Sequence, residues 1–415
     1  MKKYLTKLTF HIYNYLNSKK ITNLSHRCLV CYTQTISRQD EINAYLNKFE
    51  IKKDFDELPI IGKKEIIEQC KKINFSKIYS WAYTGGSFGE PLRVPYSKYR
   101  NYIRTATFKY FNEKAGYLIG DSFALIRAKN KKTLIKFLRN ETIIIPLNIS
   151  EEKLEEMLQL IKRKNITVLM GYPTVMFELA LYMKKKNVKL PIKSLISSSE
   201  MLDDEKRNFV KKVFNCDFVD RYSNEEVGLI AQQEIFGEDY YVNKFGVLVE
   251  ILDLENNPVD SGEIGRVVVS DLNNDLIPLL RYDTGDFAIA GEYKNNQLIT
   301  IKKVLGRTAD VIFNVKNKPV SSLALGPAIY KPLSNASLNI QFQLLQLSEK
   351  GYSLKLRSTE KEISNGVRVS IMSELKEILG DDCSINFEYL SDIPPLESGK
   401  RPVYLNLFKR NVVKD

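Results

Sequence analysis

Apolar residues recur at helical spacing in "EEKLEEMLQLIKRKN". Leu154, Met157, Leu158 and Ile161 share one face, so an amphipathic helix is predicted. The helix feeds directly into "ITVLMGYP", an apolar run of strand length, and "EKRNFVKKVFN" leads in the same way into "CDFVDRYS". Between about residues 75 and 240 this alternation predicts α/β layers. The runs "FGVLVEIL" and "GRVVVS" are rich in β-branched residues, and the turn-rich "NNPVDSGE" between them predicts a hairpin in a β-rich part. A last segment starts near Gly306, where "YSLKLRS" reads as a strand, "GVRVSIMSELKEIL" as an amphipathic helix and "SINFEYL" as a strand. Residues 1–50 read as helical, with Leu5, Leu8, Ile12 and Leu16 on one face and Lys3, Lys7 and Asn14 on another. Docking on its own domain is the first reading of that helix, and peripheral contact with a membrane surface stays open. The expected architecture is a large layered α/β domain with a β-rich part over residues 1–305 and a small α+β domain over 306–415.

Composition narrows the class. At 415 residues, 44% hydrophobic and 27% charged, the chain reads as a globular protein of more than one core. No apolar run reaches the length of a membrane span, the best being "TIIIPL". In "MKKYLTKLTFHIYNYLNSKK" the residues Lys7, His11 and Asn14 break the apolar stretch that a signal peptide needs, so a cytoplasmic protein is expected. The net charge of +12 is spread along the chain, with short runs only at 162–164 and 184–186 on helical stretches. Scattered charge builds no groove, so no nucleic-acid partner is expected, whereas a discrete acidic molecule such as ATP suits the balance. The odd count of five cysteines argues for reduced thiols. Cys28 and Cys31 form one C-x-x-C beside His26, but a second ligand pair is missing and the other histidine is His11, so no zinc is inferred. Two histidines also leave little for a Ser-His-Asp mechanism.

Candidate chemistry begins with "AYTGGSFGEPLRVPYS", where Thr84, Gly85, Gly86, Ser87 and Gly89 offer hydroxyls and bare backbone N–H groups. Glu90 stands where the G-x-x-x-x-G-K-[ST] loop has its lysine. Taken alone, this stretch is better explained as a turn. Further along come "GYPTVMFELA", "SLISSSEML" and "RYSNEEVGLIA". "LLRYDTGDFA" follows, read as an apolar run ending in a turn that carries Asp283 and Asp286. "LGRTADVIF" lies at the inferred boundary and "PPLESGKRP" near the end.

This ordered set, with "ELPIIGKKEI" at 57–66, resembles the adenylate-forming superfamily, within it the phenylacetate–CoA ligase branch and its CapK-like members of capsular polysaccharide synthesis. The resemblance spans nearly the whole chain. It implies an AMP-forming ligase with a mobile C-terminal lid, using ATP and Mg²⁺. Thr84, Gly85, Gly86, Ser87 and Gly89 match the family's phosphate loop. Ser199 and Glu200 lie in the stretch that packs on adenine, and Tyr222 matches the aromatic beside it. Glu226 matches the glutamate that helps hold Mg²⁺, with Glu225 as a solvated neighbour. Asp286 matches the acceptor of the ribose hydroxyls, a role that suits a bidentate acceptor, while Asp283 caps the turn. Arg307 matches the arginine that reaches the nucleotide, with a structural salt bridge as its other reading. Lys400 matches the lysine that the lid inserts against the substrate carboxylate and α-phosphate. Tyr172 is a candidate wall of the acid pocket, with core packing an equal alternative.

The chain departs from the family pattern at four positions. Ser199 and Met201 stand for Gly and Pro, Ser223 for Gly, and Ala309 for the hinge Asp or Lys. The implied substrate is a small carboxylic or amino acid. The implied acceptor is a nucleotide- or lipid-linked sugar, or CoA. A plain acyl- or aryl-CoA ligase is the nearest alternative, and a catalytically degenerate nucleotide-binding scaffold of a glycan-assembly complex is the alternative of another class.

Overall fold

The computed structural model describes residues 38–83, 93–127, 140–145, 149–200, 202, 204–234, 238–307, 311–320, 322–336, 338, 341–357, 362–394 and 403–408. The amphipathic face of Leu5, Leu8, Ile12 and Leu16, together with His11, His26, Cys28 and Cys31, lies outside them. Among the described residues, no helix is long and apolar enough to cross a membrane. The chain divides into two compact units. The first takes residues up to Val249 with Val268–Tyr282 and Gly291–Lys302; the second takes Glu250–Val267, Asp283–Ala290 and the chain from Lys303 on.

In the first unit, α1 (Arg38–Lys48) and α2 (Lys63–Lys71) precede strands β1 (Ser80–Tyr83) and β2 (Arg93–Tyr96) and helix α3 (Lys98–Lys114). Strands β3 (Phe123–Ile126) and β4 (Glu141–Ile144), helix α4 (Glu151–Arg163), β5 (Val168–Gly171), α5 (Pro173–Lys186), β6 (Ser194–Ser198), α6 (Asp204–Phe214), β7 (Asp217–Asn224), β8 (Gly228–Gln233) and β9 (Tyr240–Val242) follow. They form the sheet order β9-β8-β7-β6-β5-β3-β4. The pairs β3–β4, β3–β5, β5–β6 and β6–β7 are parallel, and β7–β8 and β8–β9 antiparallel. Helix α4 forms where its periodicity predicts. Ser150 caps it, Glu151 and Glu152 sit in its first turn, and Lys162 and Arg163 in its last, each sign complementing the helix dipole. Its Leu154, Met157, Leu158 and Ile161 are buried with Leu169, Leu195 and Phe218 in one core. Chain order reverses between β3 and β5, the switch point at which open α/β sheets bind ligands beyond the strands' carboxyl ends.

Next along the chain, strands β10 (Val247–Leu252), β11 (Ile264–Asp271), β12 (Tyr282–Ala290) and, after the short pair β13 (Tyr293–Lys294) and β14 (Gln297–Leu298), β15 (Thr300–Arg307) are ordered β10-β11-β12-β15. A short pair, β16 (Ile312–Phe313) and β17 (Pro319–Val320), leads to α7 (Ser322–Asn335), β18 (Phe342–Gln346), β19 (Gly351–Arg357), α8 (Asn365–Leu379), β20 (Ser384–Leu390) and β21 (Tyr404–Asn406). The last four strands form one sheet, ordered β20-β19-β18-β21. Ile371, Leu375 and Leu379 of α8 pack on Leu354 and Leu356 of β19, the strand–helix–strand unit read from the sequence. The architecture is thus the layered α/β domain with a β-rich part and the smaller α+β part that were expected.

One expectation is corrected. "LLRYDTGDFA" does not end in a turn; β12 runs through Asp283 and Asp286. The turn chemistry is a kink inside the strand. Gly285 adopts φ 73° and donates its N–H to Asp283 Oδ1 at 2.8 Å. A glycine at positive φ within a strand marks an irregularity of this kind.

Candidate active site

Residues 84–92, with the glycine loop, lie outside the described residues, but their frame is described. β1 and β2, which flank this loop, pair antiparallel with Tyr83 opposite Arg93. The outgoing strand is anchored at its end. Tyr96 is buried, and its hydroxyl donates to the carbonyl of Glu225 at 2.6 Å. Burial pushes the Tyr96 hydroxyl above its ordinary pKa, against the pull of Arg100 and Arg104, so it remains a donor at neutral pH.

Glu225–Val227 is the turn between β7 and β8, closed by the Val227 N–H donating to Asn224 Oδ1 at 2.8 Å. Glu225 points outward, half-exposed and 3.6 Å from Arg104. Glu226 is only 4% exposed. Its Oε1 accepts from the Tyr282 hydroxyl at 3.0 Å, and among the described residues no basic side chain pairs with it. Arg100 grips the main chain behind it. Nη2 donates to the carbonyls of Glu226 at 2.8 Å and Val227 at 3.2 Å, and Nε to Asp271 Oδ2 at 2.8 Å. The guanidinium stacks on the Tyr96 ring, 4.0 Å from its centroid. Burial pushes the Asp271 carboxyl up and Arg100 opposes that push. Burial pulls Arg100 down most strongly, but the charge and hydrogen bond of Asp271 together with Tyr96 outweigh it and hold Arg100 above its ordinary value. Tyr282 has its own support. Ile61 pairs with it in a parallel bridge, the Ile61 N–H donates to the Arg281 carbonyl at 2.9 Å, and Arg281 Nη1 reaches the Leu58 carbonyl at 2.8 Å. The stretch "ELPII" thus backs the strand that holds Glu226.

Two more candidates leave the carboxyl ends of neighbouring strands. Ser199 follows β6 with φ 72°, so the left-handed backbone suited to the family's glycine is kept with a side chain added. Glu200 accepts from Thr174 Oγ1 at 2.5 Å, in the first turn of α5, where an acidic group complements the helix dipole. Tyr172 is the N-cap residue of α5 and packs at the edge of the core. The preceding Gly171 has φ 122°, and a Cβ there would lie 2.1 Å from the Ile126 carbonyl oxygen. β6, β7 and β9 are locked by Asp220, which accepts from the hydroxyls of Ser197 and Tyr240. Tyr222 lies on β7 and is 8% exposed. Ser223 keeps an ordinary, not left-handed, backbone, and the β7–β8 register shifts between Tyr222 and Ser223. Tyr172, Ser199, Glu200, Tyr222 and Glu226 therefore collect along the ends of β5, β6 and β7.

In the second unit, Asp286 is half-buried on β12, and its N–H donates to Thr284 Oγ1 at 3.1 Å. Asp283 caps the Gly285 kink and pairs with Arg266 at 2.6 Å, a structural role. Arg307 is the last residue of β15, and its side chain lies outside the described residues, as do Lys400 and Ala309. The roles of Tyr96, Arg100, Asp271 and Tyr282 were missed from the sequence. Tyr282 lies inside a quoted motif, but Arg100 and Asp271 are 171 residues apart with no local signal to join them.

A buried carboxylate with one hydroxyl donor and no basic partner among the described residues suits a cation. Among the described residues no group of three or more metal-ligating side chains converges. That donor set fits Mg²⁺, which takes one or two carboxylates together with substrate phosphates.

The family model "AMP-binding enzyme" matches residues 16–274. Protein CapK of Staphylococcus aureus is 24% identical over 376 residues, covering 86% of this chain and 81% of that protein. Among solved structures, 2-hydroxyisobutyryl-CoA ligase in the postadenylation state with 2-HIB-AMP aligns with a TM-score of 0.63 at 14% identity, over 95% of this chain and 90% of that one. ATP-bound MatB from Rhodopseudomonas palustris aligns with a TM-score of 0.57 at 15% identity, over 81% of this chain and 67% of its own. These structural likenesses establish the shared fold. With the family match across more than half of its length, the chain belongs to the AMP-binding enzyme family, the AMP-forming ligases that its motifs resemble.

Proposed function

We propose that this protein activates a small carboxylic or amino acid as its adenylate and passes the acyl group to a sugar amine or hydroxyl, directly or through CoA, in surface-polysaccharide assembly. In the first step a substrate carboxylate oxygen attacks the α-phosphorus of ATP, and the bond to pyrophosphate breaks with its electron pair leaving on pyrophosphate. In the second, the acceptor nucleophile attacks the acyl carbon, AMP departs with the electron pair of the broken C–O bond, and the nucleophile's proton passes to solvent. Both steps need preorganised donors around phosphate oxygens.

The observation that carries this reading is the tie between strand pair and turn. Tyr96, at the end of the strand that follows the glycine loop, bonds the turn that presents the buried Glu226. In this proposal Thr84, Gly85, Gly86, Ser87 and Gly89 hold the β- and γ-phosphates, while Ser199, Glu200 and Tyr222 line the adenine side. Asp286 takes the ribose hydroxyls, Arg307 reaches the nucleotide, and Tyr172 walls the acid pocket. Glu226 would hold Mg²⁺, whose charge neutralises the phosphates. Lys400 touches the substrate carboxylate and the α-phosphate, carried by a lid of residues 306–415. The positive charge absent from the glycine loop then comes from Arg307, Lys400 and the ion. The CapK likeness supports the polysaccharide role.

The test is incubation with ATP, Mg²⁺ and pools of carboxylic and amino acids, measuring pyrophosphate release and hydroxamate capture. Turnover with at least one acid is expected. CoA dependence of the second step would favour the acyl- or aryl-CoA ligase, and silence across broad pools the non-catalytic scaffold.

A further inference from the structure

Glu226 is buried on a two-strand turn, yet nothing within that turn fixes its side chain. Its orientation comes from Tyr282, 56 residues further along, whose hydroxyl donates to Oε1 at 3.0 Å. Tyr282 is itself 1% exposed and held through its main chain by Ile61. The backbone below the carboxylate is held as firmly, by Arg100 on the Glu226 and Val227 carbonyls and by Tyr96 on that of Glu225. A flexible glutamate would lose side-chain entropy on gripping a cation; one already held in a single rotamer has lost that freedom during folding. A hydroxyl donated to one carboxylate oxygen also leaves the other, Oε2, for the ion, and orients it as outer partners orient metal ligands generally.

We propose that Tyr282 is a positioning residue for the divalent cation: its hydroxyl fixes the Glu226 carboxylate so that Mg²⁺·ATP meets a preset ligand. This rests on the adenylation reading for the identity of the nucleotide. Tyr282 acts through Glu226 and touches neither substrate nor ion.

The experiment is equilibrium dialysis of labelled ATP against the full-length protein at graded Mg²⁺, which reads binding without turnover. In Tyr282→Phe the Mg²⁺ concentration for half-maximal ATP binding should rise about tenfold, the scale of one hydrogen bond to a charged group, with the saturating amount of bound ATP unchanged. In the Glu226→Gln background the same substitution should add nothing, because the group it positions is gone. Wild-type Mg²⁺ dependence in Tyr282→Phe, or an additive effect in the double variant, overturns the proposal while leaving adenylation intact. A wild-type protein that binds no ATP at any Mg²⁺ concentration overturns the adenylation reading and this one with it. Should Tyr282→Phe not fold, Glu226→Asp draws the carboxylate back from the hydroxyl by one methylene. It should show the same shift, and an unshifted dependence there overturns the proposal.

Discussion

The turn after β7 and the turn after β6 leave adjacent parallel strands and both carry candidate residues, but the first is tied by several buried bonds and the second by one exposed bond. Glu225–Val227 is gripped from afar, by Tyr96, Arg100 and Tyr282. Ser199–Glu200 is held by a single exposed hydroxyl–carboxylate bond, from Thr174 of the helix before it, beside a left-handed serine. The two sites where the family pattern has glycine divide the same way. At Ser223 the backbone is not left-handed, beside a register shift, while at Ser199 the backbone keeps the glycine conformation and bears the strain. A missing glycine therefore says little until the backbone at that position is known.

Substitutions sharpen the contrast. Arg100→Met should cost most, about 3–5 kcal/mol of unfolding free energy, because it leaves Asp271 charged, buried and unpaired. A denaturant titration showing less than about 1 kcal/mol would mean that the Glu226 turn is not held by this pair. Tyr96→Phe should lose about 1–3 kcal/mol in the same measurement, since the Glu225 carbonyl is left without its donor. Ser199→Gly should gain roughly 0.5–1 kcal/mol, the left-handed cost relieved less the added chain entropy. Ser223→Gly should instead lose roughly 0.5–1 kcal/mol, since a backbone that is not left-handed gives glycine no relief to set against its chain entropy; equal signs at the two serines would collapse the comparison. Glu200→Gln should matter least, about 0.3–1 kcal/mol, as befits an exposed charge at a helix N-terminus.

What the sequence disclosed follows the range of the forces involved. Helix α4 and the β19–α8–β20 unit were legible because their faces repeat within a few residues. The motifs at 171–180 and 221–231 were read as following strands, which are β5 and β7, whereas the strand β6 inside "SLISSSEML" was not read. The clamp on Glu226 was not legible. Arg100 looks like one more cation on a helix until Asp271 is beside it, and a tyrosine in "RYDTGD" carries no mark of the carboxylate it will meet. The kink in β12 was misread as a turn because aspartate and glycine give the same signal in both settings.

The central claim is that acid activation and acyl transfer are separate steps and that Lys400 serves the first. Its most direct measurement compares Lys400→Ala with the wild-type protein in two assays, pyrophosphate release from ATP with the cognate acid and acyl transfer from preformed adenylate. The account predicts a loss on the order of 10²–10³ in the first, the scale of removing one preorganised donor, with the second near the wild-type rate. Equal loss in both steps would contradict it.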